Sequence, residues 1–201
     1  MSRKLAAACL AALVLSSAAH AEGKQYFVDA ALGASDGHLD GSYRYSDRLD
    51  GTDVAGAVRV GVMWQGQADW GIEAGYVDLG QVSDQYIVFP SNVTNESRTR
   101  GMLVGGNFTY RFDAPWYLSA RGGWLHSWTD LRTRVDGPYG AAPSASASGD
   151  GFYVGVGGGY DISERLSIGL HYDLYHVQAS GGGADLSGDI GTAMVQLEYR
   201  Y

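Results

Sequence analysis

Three groups of residues have the means to do chemistry: five histidines, a run of spaced glycines and a set of charged side chains at alternate positions. The histidines show no metal-ligand spacing. His20 belongs to the first 21 residues, His38 stands in a polar stretch, and His126, His171 and His176 lie on two separate segments. "LHSW" puts Ser127 next to His126, a base beside a hydroxyl, but neighbours on a strand point to opposite faces, so the two do not form a nucleophile pair. His126 and His176 share one phase of an alternating pattern, opposite to that of His171, and each is a candidate base. The glycines of "GFYVGVGGGYDIS" invite a nucleotide-loop reading, yet no helical pattern follows them, and a phosphate cradle needs a strand-to-helix turn. No catalytic residue, cofactor or metal is predicted.

The charged set is the more informative. Asp29, Arg59, Glu73, Arg111, Arg121, Asp161, His171, Asp173, Glu198 and Arg200 fall on one phase of an alternating pattern, with Asn107, Gln196 and many glycines among them. Both signs occur and nearly balance. Such residues need an enclosed space in which they answer one another, which predicts a mixed ion network inside the molecule.

Strands must position them. In "SIGLHYDLYHV", Ser167 to Val177, every second residue gives Ile168, Leu170, Tyr172 and Leu174 on one face and Gly169, His171, Asp173 and Tyr175 on the other, the period of a strand. Eight such segments lie near 25–34, 54–64, 69–79, 101–112, 116–127, 151–162, 165–177 and 190–201. Each is long enough to cross a bilayer at a tilt. Short polar turns, "QGQA", "DAP" and "SE", join segments two and three, four and five, and six and seven. The stretches 35–53, 80–100, 128–150 and 178–189 are rich in Gly, Ser, Asp and Asn and are predicted as long loops. Tight turns at one end and long connections at the other are how an outer-membrane barrel sorts its links.

The opposite phase of the segments carries no charge, which predicts that it faces lipid. Its aromatic residues gather at segment ends: Trp64, Trp70, Tyr110, Phe112, Trp116, Tyr160, Tyr199 and Tyr201 toward the short turns, and Tyr76, Trp124 and Phe152 toward the long connections. Rings of that kind suit the two headgroup zones. Leu170 then faces lipid and His171 the interior. Leu170→Arg is accordingly expected to cost more than His171→Arg, whose charge Asp173 or Glu73 is placed to meet.

Residues 1–21 read as an export signal: Arg3 and Lys4, an apolar run from Leu5 to Leu15, and a small-x-small ending at Ala21. Cys9, the sole cysteine, lies within it, so no disulfide supports residues 22–201. Removing Arg3 and Lys4 moves the formal charge from −8 to −10. That acidity argues against a nucleic-acid partner, since phosphate binding rests on clustered Lys and Arg.

"GFYVGVGGGYDISERLSIGLHYDLYHV" followed by "AMVQLEYRY" resembles the last three strands of the small outer-membrane β-barrel superfamily, which includes the transmembrane domain of OmpA and the opacity proteins. "WYLSARGGW" resembles its fifth strand and "IEAGYVDLG" its third. A terminal Phe is usual there, as part of the signal read by the barrel-assembly machinery; Tyr201 stands in its place. The resemblance implies a Gram-negative outer membrane, with lipid, lipopolysaccharide and that machinery as partners. The expectation for residues 22–201 is therefore an all-β, eight-stranded antiparallel up-and-down transmembrane β-barrel, monomeric, whose surface loops carry a structural, adhesive or host- or phage-binding role. The alternatives are a lipid-modifying enzyme and a small-solute pore.

Overall fold

Alternating sequence without helical periods leaves the backbone one way to satisfy its polar groups in lipid, a strand ladder that closes on itself. The computed structural model describes residues 23–43, 46–88, 91–136, 144–181 and 184–201; residues 1–21, the predicted export signal, lie outside them. Eight strands follow in order: β1 (Lys24–Tyr43), β2 (Ser46–Trp64), β3 (Asp69–Val88), β4 (Ser91–Arg111), β5 (Trp116–Asp136), β6 (Ser144–Asp161), β7 (Leu166–Gly181) and β8 (Ala184–Arg200). Each pairs antiparallel with its neighbours in sequence, and β1 closes the barrel on β8 from Phe27–Arg200 to Gly41–Leu186.

The tight turns are built by local polar groups. Asp69 Oδ1 accepts from the Gly66 amide at 3.3 Å, and Ser163 Oγ accepts from the Leu166 amide at 3.1 Å. Both described chain ends lie beside these turns: the Gln65 amide donates to the Gly23 carbonyl and the Tyr201 amide to the Tyr26 carbonyl.

At the other end the predicted long loops are corrected. Most of 35–53, 80–100, 128–150 and 178–189 is strand: β1 and β2 stay paired as far as Tyr43 with Ser46, and β3 and β4 as far as Val88 with Ser91. The Gly, Ser, Asp and Asn content suggested turns, but a ladder already in register offers each further backbone group a partner, and the alternation persists through Ser97, Arg98, Thr99 and Arg100. At about 3.3 Å per residue and a tilt of about 40°, strands of 16 to 21 residues stand roughly 40 to 53 Å tall, against an apolar band of about 25 Å. The barrel continues as a strand-built tower beyond the lipid.

The tower has a seam. Among the described residues the β2–β3 ladder ends at Gly56 with Asp78, while β3 goes on pairing with β4 past an irregularity between Asp78 and Gln81. Gly80 sits there at φ +84°, the left-handed region glycine enters freely, and the Gln81 amide donates to Asp53 Oδ2 at 2.6 Å.

Candidate functional site

The lumen is filled in layers. Nearest the short turns, Arg111 binds Asp69 and Asp161, the latter at 3.0 Å, and lies over the Tyr117 ring at 5.7 Å. Arg200 donates to Asp161 at 2.9 Å, and Glu198 lies 3.9 Å from Arg111 and 3.7 Å from Arg200. Next comes a fully buried cluster: Arg59 donates to Asp173 at 2.9 Å, to the Tyr175 hydroxyl at 3.1 Å and to Asp29 at 3.4 Å. Arg121 donates to Gln196 at 2.7 Å and to His171 Nδ1 at 3.1 Å. A guanidinium only donates, so Nδ1 accepts and the proton of a neutral His171 is on Nε2. Glu73 accepts from Tyr153 at 2.8 Å and Asn107 at 3.1 Å. All ten residues of the charged set thus lie inside, in two tiers.

Glycines make room for them. A Cβ at Gly155 would overlap the Asp173 carboxylate, and one at Gly157 the His171 ring.

Above the ions lies a layer the charged pattern did not reveal. Val77, Leu79, Leu103, Leu125, Tyr153, Tyr175, Val177, Ile190 and Met194 form one buried apolar cluster with Ala31, Ala55 and Ala57. The Tyr153 and Tyr175 rings stack at 6.1 Å, their hydroxyls turned to Glu73 and Arg59. The signal was present: these residues share the inward phase, but runs such as "GMLVGG" are apolar on both phases and conceal which face they serve. Higher still, Thr99 and Thr129 bond at 3.1 Å, and Ser127, pointing inward and fully buried, donates to the Gly149 carbonyl at 3.3 Å.

The outer face is apolar from the turns upward; Leu170 is 68% exposed beside His171 at 4%. Trp64 stacks on Trp70 at 4.5 Å, and Tyr110 with Phe112, Trp116 with Tyr160, and Tyr199 with Tyr201 meet edge to face at 4.9 to 5.2 Å, forming a girdle at the turn end. At the far edge Trp124 stacks on His126 and Phe152 on His176.

Directly beyond that edge runs a rim of paired ionisable side chains whose partners the sequence reading missed. Arg98 donates to Asp78 at 2.5 Å and Arg100 to Asp130 at 2.7 Å; His126 Nδ1 meets Asp150 at 2.6 Å and His176 Nδ1 meets Asp189 at 2.7 Å. Asp78 holds the Arg98 guanidinium above its ordinary pKa by that hydrogen bond and by its charge. On six of the strands the first outward residue past the apolar band is ionisable: Asp78, Arg100, His126, Asp150, His176 and Asp189. On β5 and β6 the run from the lowest outward aromatic to that residue, Trp116 to His126 and Tyr160 to Asp150, spans roughly 25 Å of height at about 3.3 Å per residue and a tilt of about 40°, the depth of a barrel's lipid band.

A family described as outer membrane protein beta-barrel domain matches residues 5–200. No curated protein matches the chain. Among solved structures, the outer membrane protease OmpT from Escherichia coli is similar with a TM-score of 0.55 at 9% identity, over 92% of this chain and 99% of that one. OprG from Pseudomonas aeruginosa gives 0.55 at 9% identity over 89% and 96%. The attachment invasion locus protein Ail of Yersinia pestis, in complex with the heparin analogue sucrose octasulfate, gives 0.48 at 14% over 88% and 99%. At such identities the likeness is one of fold.

Proposed function

The chain belongs to the outer-membrane β-barrel family, and from that premise we propose a non-catalytic, structural and surface-interaction role, in which the barrel anchors in the outer membrane and the tower meets a host or phage surface. The observation that carries it is the stacking of an apolar layer on an ion-paired layer inside the lumen. A dry layer gives ions and solutes no path, which leaves the exterior as the working surface. The reading takes residues 1–21 as a removed export signal and the barrel as a monomer that contacts lipid and lipopolysaccharide, delivered by the barrel-assembly machinery.

Two measurements test it. Pure protein in a planar bilayer is expected to give no steady openings; a reproducible conductance step would favour the small-solute pore. Cells lacking the gene are expected to lose attachment to a host surface or phage, and to regain it with the intact chain but not with one whose tower ends are replaced by short turns.

One observation favours a second reading, a lipid-modifying enzyme: His126 has its Nδ1 on the Asp150 carboxylate, leaving Nε2 as a candidate base, whereas His176 Nε2 is engaged by the Gln178 amide at 3.1 Å. The hydroxyl next in sequence to His126, Ser127, is on the inward face. Release of fatty acid from lipopolysaccharide by purified protein, lost in His126→Ala, would establish that reading in place of the first.

A further inference from the structure

The rim also carries a groove of about 580 Å3, lined by Arg100, Trp128, Asp130, Ser146, Ser148 and Ser180, with Tyr76 at its side. Ala147, which also lines it, is inward and buried, while the residues just named share the outward phase, so the groove opens on the flank of the barrel. Its height is set by the strands: Arg100 follows the lipid-facing Met102 on β4, and Trp128 follows Trp124 and His126 on β5. A molecule in the groove therefore has its polar part beside these groups and lipid immediately beneath.

The lining chemistry narrows what that molecule is. Arg100 is held by Asp130 through one nitrogen, at 2.7 Å, which neutralises the acid and leaves other N–H groups for a phosphate, the anion whose geometry a guanidinium matches. The Trp128 ring offers an apolar face of the kind on which sugar C–H groups pack. Exposed Ser146, Ser148 and Ser180 supply donors and acceptors for sugar hydroxyls. A volume of this size lies within the range of small-ligand sites. At the foot of the groove His126, paired with Asp150, meets the Trp128 ring edge to face at 4.8 Å, and farther round the rim the His176–Asp189 pair offers an imidazole instead of a guanidinium.

We propose that this groove seats the phosphorylated saccharide headgroup of an outer-leaflet glycolipid, whose acyl chains descend past Met102 and Val104. The proposal rests on the outer-membrane reading, which puts the rim at the level of that leaflet.

The test uses refolded protein in detergent, incubated with a bisphosphorylated acyl-glucosamine disaccharide and, in a parallel arm, with phosphatidylglycerol. Lipid retained through gel filtration is counted by native mass spectrometry. Wild type is expected to retain the disaccharide lipid at least tenfold better than Arg100→Gln or Trp128→Ala, both still shifting mobility on boiling, while Asp189→Asn, at rim height away from the groove, retains it fully. Undiminished retention by both groove variants would overturn the site, as would equal retention of phosphatidylglycerol by wild type, the mark of a general anionic-lipid contact. A wild type with one mobility, boiled or unboiled, would remove the barrel premise and the glycolipid seat together.

Discussion

Arg59 answers two buried carboxylates, Asp29 and Asp173, both shut off from solvent. Arg59→Met is therefore expected to destabilise by about 3 to 5 kcal/mol, the cost of stranding buried charge, read as a fall in the urea midpoint of protein refolded in vesicles. Leu170→Arg, on the lipid face, should cost about 2 to 4 kcal/mol in the same assay. The sequence reading ranked His171→Arg as mild because Asp173 and Glu73 seemed free to meet its charge. Both are engaged, Asp173 by Arg59 and Glu73 by Tyr153 and Asn107, and Arg121 lies 3.1 Å from the imidazole. His171→Arg brings a second guanidinium against the first and should cost as much as Leu170→Arg. His171→Gln, which keeps an acceptor for Arg121, should be the mildest of the three, and a reversed order would contradict the hydrogen-bond assignment.

Within a strand, inward and outward glycines have different reasons to be there. A Cβ at Gly157 would overlap the His171 ring, whereas at Gly106, on the lipid face, its nearest neighbour would be 3.5 Å away. Gly157→Ala is expected to lose about 1 to 3 kcal/mol to overpacking and Gly106→Ala to be neutral or slightly stabilising; paired urea titrations decide it. The same contrast explains what was legible in the sequence. Period-two alternation gave the eight strands and both faces, because charge and large apolar groups cannot exchange sides of a lipid-bound sheet. Strand ends beyond the lipid were not legible. There Ser97 and Thr99 inside, and Arg98 and Arg100 outside, are all polar, so the pattern that marks a strand in lipid loses its contrast. The apolar lumen layer was hidden for the converse reason: around Leu103 both phases are apolar, and only the closed ladder shows which one turns inward.

For the molecule as a whole, the closed hydrogen-bond ladder should make the barrel heat-modifiable, with a shift between unboiled and boiled mobility; identical mobilities would argue against closure. The layered lumen has a further consequence, at the scale of the cell envelope. A membrane whose value lies in exclusion is compromised by every open barrel it holds, so pore-forming proteins must be rationed or gated. On the proposed role, a barrel stoppered by Leu103, Leu125, Tyr153 and Tyr175 is expected to add no leak, and its copy number would then be free to follow the demand for surface coverage. Overproduction of the wild type should leave cells as resistant to small hydrophilic antibiotics as before. Overproduction of a variant carrying both Leu103→Ser and Leu125→Ser, which wets the layer, should raise uptake in proportion to the protein present, and equal uptake in the two strains would mean that the stopper lies elsewhere.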